Sequence, residues 1–223
     1  MPTHLIITKN NMEHPNFIIT INREAGSGGK EIAEKLGKLL GVKVYGKEIL
    51  ASILEKYNLT HEDVEQIKAT KRNWWSDFCR FYKQFGTTAA IAYESFEVDS
   101  VQLYQEEEKL LKEIAEQESC IIVGRTGFHI FKDDPNAMRL LLIANPEARM
   151  KRIMRKQNVD EKEAREIIER VDKARENYTQ AFAGVSRYDA RNYDMVFNVT
   201  PFTTDQVAQF LAENVRKKYP LTV

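Results

Sequence analysis

The 223-residue chain carries 33 Lys plus Arg against 33 Asp plus Glu, a formal net charge of +0 at pH 7. No global field steers it toward a polyanion, so nucleic acid is not an expected partner and any phosphate site must be local. The length sets a prior of about one to two domains, and no apolar run approaches the ~18 residues of a membrane span, so no membrane partner is expected.

The opening segment MPTHLIITKNNMEHPN is polar and short of the apolar region of a secretory leader, so residues 1–16 read as a tail before one domain over 17–223. Cys79 and Cys120 lack metal or redox spacing, which suits reduced thiols and a cytoplasmic location. Short apolar runs then alternate with amphipathic stretches. FIITI (17–21), VKVY (42–45), CIIVG (120–124), RLLLIA (139–144) and MVFNV (195–199) read as strands. Several are apolar at consecutive positions, as expected where helices cover both faces of a parallel sheet, so the fold class is α/β. Helices are expected at 29–40, 48–57, 101–116, 146–156 and 204–218. Pro146 before Glu147, and Asp160 three residues before Glu163, are start signals.

Two stretches interrupt this alternation. Residues 58–100 read as helices beginning at Thr60. Within them Trp74, Trp75, Phe78, Phe81, Tyr82 and Phe85 recur at helical spacing. Such a stripe is read as internal packing or a homodimer contact rather than a base-stacking platform, because no basic pattern interleaves it. Residues 155–192 read as one charged helix and a polar loop. Its Glu161/Arg165, Glu166/Arg170 and Glu169/Lys173 pairs, each four apart, suit a solvated face, and Arg165 is assigned to that face. His4, His14, His61 and His129 show no ligand spacing.

The segment NREAGSGGKEIAEKLG, 22–37, has the strand, glycine turn and helix of an anion-binding loop. It does not satisfy G-x-x-x-x-G-K-[ST]. Taking Gly28 as the second glycine puts Arg23 at the first and Gly29 where lysine belongs. Moving one residue along restores Lys30, but puts Glu24 at the first glycine and Glu31 at the magnesium-binding hydroxyl. Glu31 would repel phosphate unless it faces away or meets the ion. A plain tight turn is the alternative; Arg23, Ser27 and Lys30 beside Gly26, Gly28 and Gly29 favour phosphate.

Three blocks, ITINREAGSGGKEIAEKLGKLLGVKVYGKEIL, CIIVGRTGFHIFKDDPNAMRLLLIANPEARMKRI and DKARENYTQAF with the later NYDMVFNVT, resemble the cytidylate kinase-like family in order and spacing. That family's loop also reads G-S-G-G followed by a basic residue. The resemblance implies a three-layer P-loop NTPase-type parallel sheet of five strands in order 2-3-1-4-5, a monophosphate-binding lobe at 58–100 and a lid around 155–192. It implies ATP and Mg2+ as cofactors and small-molecule nucleotides as substrates. It places Arg125 and Lys47 with the acceptor nucleotide, Arg149 and Arg152 with the donor, and Asp172 and Arg175 in the family's Asp-x-x-Arg, with Arg170 beside them. Lys30, Arg125, Arg170 and Arg175 are the expected catalytic cations; Arg23, Gly26, Ser27, Gly28, Gly29, Lys30 and Glu31 are the expected phosphate loop; Asp172 is assigned to the acceptor. Gly46 and Thr126 stand where related kinases carry Asp. Candidate magnesium carboxylates are Glu31, Asp172 and Asp194.

The expected activity is phosphoryl transfer from ATP to a nucleoside monophosphate, with CMP or a related pyrimidine nucleotide as acceptor. Two other readings keep the fold: a nucleotide-binding regulatory protein with weak or no turnover, and a kinase for another small acceptor.

Overall fold

The computed structural model describes residues 16–46, Ile49 and residues 100–219. The expected tail, Lys47, most of the expected 48–57 helix, the lobe up to residue 99, its aromatic stripe and Cys79 lie outside the described residues.

In chain order the elements are β1 (Ile18–Arg23), α1 (Gly29–Leu40), β2 (Lys43–Tyr45), α2 (Ser100–Gln117), β3 (Cys120–Val123), α3 (Gly127–Ile130), β4 (Ala137–Ile143), α4 (Pro146–Gln157), α5 (Glu161–Ala183), a 3-10 turn (Ala190–Asn192), β5 (Met195–Asn198) and α6 (Thr204–Lys218). The sheet order is β2-β3-β1-β4-β5, and every pairing is parallel. The expected order and class are therefore observed. The short helix α3 and the 3-10 turn were not legible, since neither spans a full hydrophobic period.

Consecutive apolar residues go to opposite faces of the sheet. Ile19, Ile21, Ile121, Val123, Leu140 and Leu142 pack under Ile32 and Leu36 of α1 and Val207, Leu211 and Val215 of α6. Ile18, Cys120 and Ile122 face the other way, against Leu111 and Ala115 of α2 and Phe131. Burial pushes the Cys120 thiol up to about 12, so it behaves as a small core hydrophobe and not as a nucleophile.

Helix ends follow the local chemistry. Asp160 caps α5 by accepting the Glu163 N–H at 2.8 Å, as its position predicts. Thr203 and Gln206 form a reciprocal capping box on α6. Asn158, with φ 55°, ends α4 and makes the corner into α5. The charged segment is thus one helix from Glu161 to Ala183, which buries Ala164, Ile167 and Val171 against Ile153 of α4 and Ala25. Arg165 pairs with Glu161 at 3.2 Å on its exposed side, as expected for a solvated face.

β1 continues past its apolar run through Asn22 and Arg23, because both remain in register with Leu141 and Leu142 of β4. The sheet order reverses on either side of β1, between β3 and β4. The carboxyl ends of these strands therefore open a crevice at the start of α1, where α/β sheets gather ligands.

Candidate functional site

A cavity of about 860 Å³ occupies that crevice, within the range of small-molecule sites. Gly26, Gly28, Gly29, Lys30 and Glu31 form one wall, and Gly124, Arg125 and Thr126 form another. Arg152 of α4, Arg175 and Tyr178 of α5, and Arg187 contribute from the side. Of the expected residues, Arg23, Gly26, Gly28, Gly29, Lys30, Glu31, Arg125, Arg152 and Arg175 come together here. Ser27, Arg149, Arg170 and Asp172 do not line the cavity.

The loop turns because Gly26 (φ 77°) and Gly28 (φ 85°) adopt left-handed conformations. Ser27 is fully buried, and its hydroxyl donates to Glu24 O at 2.9 Å. That side chain closes the turn rather than facing a ligand. Gly28 precedes α1 with no side-chain cap, so the helix start presents its backbone dipole to the crevice. Beneath the loop, Arg149 donates to Ala25 O at 2.7 Å and Arg152 to Ser27 O. The two arginines of α4 thus hold carbonyls on one side of the loop, although only Arg152 reaches the cavity.

A methyl group on Gly26 would lie 2.6 Å from the backbone carbonyl oxygen of Arg149. The left-handed φ and this rigid backbone contact act together. Gly26→Ala is therefore expected to cost about 2–3 kcal/mol of stability, measured by urea unfolding, whereas an exposed, unstrained glycine change costs under about 1 kcal/mol.

Glu31 lines the cavity but is tied toward α6 by its partners. Its carboxylate accepts from Thr204 Oγ1 at 2.6 Å and pairs with Lys35 at 3.0 Å. The Thr204 hydroxyl, then Lys35, hold its carboxyl below the usual range. Glu31 ties α1 to α6 and its charge is directed there. Lys30 is exposed and pairs with Glu34 at 3.5 Å along the helix, so it does not curl back over the loop.

Asp172, assigned to the acceptor, lies outside the cavity lining and anchors the loop. It accepts the Ala25 N–H at 2.9 Å and pairs with Arg149 and, at 3.3 Å, with Arg187. Arg175 lies 3.7 Å from it and donates to Arg23 O at 3.2 Å. The Asp-x-x-Arg pair therefore fixes α5 to the loop. Arg170, on the same helix, is half-buried and outside the lining. Asp194 is also removed from the site. It precedes β5, at the amino end of the sheet, and clamps Arg139 through contacts of 2.7–3.1 Å.

Arg125 is 4% exposed and its guanidinium meets Glu107 of α2, 2% exposed, at 2.8 Å. Tyr178 donates to the other Glu107 oxygen at 2.8 Å. Gly124, Arg125 and Thr126 have φ of 81°, 56° and 50°, an unusual left-handed run for two non-glycine residues. Arg125 lies in this turn and lines the cavity, with its guanidinium held against α2 by Glu107.

Sequence reasoning missed Arg187, Glu107, Asn22 and Tyr193. Arg187 is fully buried and donates to Asn22 Oδ1 at 3.0 Å and to Arg23 O. The Tyr193 hydroxyl accepts from Asn22 at 2.6 Å and donates to Arg187 O at 2.6 Å. Tyr193, in the block NYDMVFNVT that carries the family resemblance, thus braces the end of β1.

The described residues offer no group of three or more His, Cys, Asp or Glu that could hold a metal ion. Glu24, Glu31 and Glu34 line the cavity, yet each already meets a protein cation. They do not form a magnesium site by themselves. No described helix is long and apolar enough to cross a membrane.

The sequence model of the cytidylate kinase-like family matches residues 18–201. Among curated proteins, an S-adenosylmethionine-dependent nucleotide dehydratase of Lacinutrix mariniflava is 28% identical over 89% of this chain; the chain spans 36% of that relative's length. A cytidylate kinase of Thermoplasma acidophilum is 21% identical over 88% of this chain and 91% of its own. An uncharacterized protein of Eubacterium ventriosum shares the fold, with a TM-score of 0.66 and 22% identity over 90% of this chain and 98% of that one.

Proposed function

The chain belongs to the cytidylate kinase-like family, and from that premise we propose that it transfers a phosphoryl group from ATP to a nucleoside monophosphate. The carrying observation is that one cavity is lined both by the uncapped start of α1 and by Arg125. A donor and an acceptor phosphate have separate cationic walls there. Relatives named for cytidylate and for nucleotide chemistry support a nucleotide as ligand, and a pyrimidine monophosphate, CMP first, is the acceptor we propose.

Phosphoryl transfer needs little covalent help from protein; positioning and charge neutralisation supply most of the rate. The 26–31 loop and Arg152 bind the donor phosphates through backbone dipole and guanidinium charge. Arg125 orients the acceptor phosphate. Arg175 holds the carbonyl of Arg23 and keeps α5 against the loop. Magnesium bound with ATP would supply further charge neutralisation, and the described residues offer no carboxylate cluster to hold it by themselves. We also propose that residues 17–223 act as one unit, with 58–100 as the acceptor lobe and 155–192 as a lid that excludes water on closing.

One observation favours a second reading, a nucleotide-binding protein with little turnover: Lys30 lies along α1 beside Glu34, exposed, and not over the loop. A coupled ADP-release assay over a panel of nucleoside monophosphates separates the two. Stimulation by CMP or UMP above the ATP-only rate is the expected result. Saturable ATP binding with no stimulation by any acceptor would establish the second reading instead.

A further inference from the structure

The strict phosphate-loop pattern puts a lysine on the first turn of the helix, and this chain has Gly29 there in one frame. Gly29 does not need glycine for its backbone, since its φ lies outside the left-handed range. It needs glycine for space. A Cβ on Gly29 would lie 2.7 Å from Arg23 Cβ and 2.8 Å from Arg23 Cγ. The arginine stem therefore runs through the volume where a lysine at 29 would begin. Its guanidinium continues to Gly124, at the end of the neighbouring strand β3, where the glycine leaves no Cβ in the way.

We propose that Arg23 is the phosphate-binding cation of this loop, and that its charge has moved from the helix to the end of β1. Residue 23 is where the strict pattern requires glycine, so one exchange explains two of the three departures in this frame, Lys30 at the hydroxyl position being the third: glycine is lost at 23 because the cation starts there, and lysine is lost at 29 because the stem fills its place. The backbone of Arg23 is fixed for this task, as its carbonyl accepts from both Arg175 and Arg187. A guanidinium also changes what can be recognised, since it offers a planar fork to two phosphate oxygens where lysine offers a point charge. This assignment rests on the proposal that the cavity binds a nucleoside triphosphate, and it concerns which residue meets the phosphates.

The exchange can be reversed. Arg23→Gly with Gly29→Lys recreates G-x-x-x-x-G-K in place. Calorimetric titration with MgATP would compare the full-length protein with Arg23→Met, Arg23→Gly, Gly29→Lys and the Arg23→Gly/Gly29→Lys pair, each first checked for cooperative thermal unfolding. Loss of a charged hydrogen-bonding partner predicts binding weaker by about 10- to 100-fold in Arg23→Met and Arg23→Gly. Gly29→Lys alone should also weaken binding, because its side chain collides with the Arg23 stem. The pair should bind at least about fivefold more tightly than either parent single variant; relief of the clash alone would lift it above Gly29→Lys but not above Arg23→Gly, so the second comparison reports the restored cation. Arg23→Met, which keeps the stem volume, tests the idea even if the glycine variants fail to fold. Unchanged affinity in Arg23→Met, or a folded pair no tighter than Arg23→Gly, would overturn the assignment. If the unmodified protein itself shows no saturable MgATP binding, the nucleotide reading falls and this one with it.

Discussion

Arg187→Met is expected to destabilise the protein by about 3 kcal/mol, or roughly 6–12 °C in Tm for a chain of this size. The guanidinium is fully buried. It serves Asn22 Oδ1, Arg23 O and Asp172 together, so its loss leaves three buried acceptors short of a donor. Met fills the stem volume, which keeps the cavity contribution small and isolates the polar one. The expected cost lies at the low end of the range for broken buried pairs because Asp172 keeps Arg149 and the Ala25 N–H. Arg187→Lys should recover less than half of the loss, since a single ammonium cannot reach three acceptors as the planar fork does. Urea unfolding of both variants decides the matter. A loss under about 1 kcal/mol for Arg187→Met would mean that the end of β1 is held by Tyr193 and Arg175 without it.

The same region shows which parts of the molecule were legible beforehand. The strands were readable because a buried parallel sheet writes itself as nearly continuous apolar residues, and Ile18, Ile19 and Ile21 with Leu140, Leu141 and Leu142 do so on both faces. The glycine loop was readable because φ above zero at Gly26 and Gly28 restricts residue type. The direction of the arginines was not. Arg149 and Arg152 are one turn apart with identical chemistry, yet Arg149 is taken up by Glu24, Ala25 and Asp172 while Arg152 reaches the crevice. Arg187 sits in a polar loop without periodicity, and its burial follows from where the chain returns after α5. No local pattern encodes that long-range placement, 164 residues from its contact at Arg23. Glu107 reads as one of three consecutive glutamates on a charged helix, and only the packing of α2 beside β3 distinguishes it from its neighbours.

Glu107 also gives the prediction that separates stability from chemistry at this site. Glu107→Leu is expected to cost about 3–5 kcal/mol, because the buried Arg125 would lose the carboxylate it meets at 2.8 Å. Removing both charges in Arg125→Met/Glu107→Leu should restore most of that stability. A residual deficit of about 1–3 kcal/mol is expected, because Tyr178 loses the carboxylate that its hydroxyl now donates to. Turnover should not follow stability. If Arg125 orients the acceptor phosphate, the folded double variant should still bind MgATP but lose about 100-fold or more in acceptor-dependent ADP release, a loss of the size seen when one positioned charge-stabilising group is removed. The pair would then be a device for holding a cation ready at the strained end of β3: Glu107 offsets the burial of Arg125 until an acceptor phosphate provides a second anion. Acceptor-dependent turnover within about threefold of the parent protein in the double variant would reduce the pair to a packing element, and the acceptor wall would have to be sought elsewhere in the cavity.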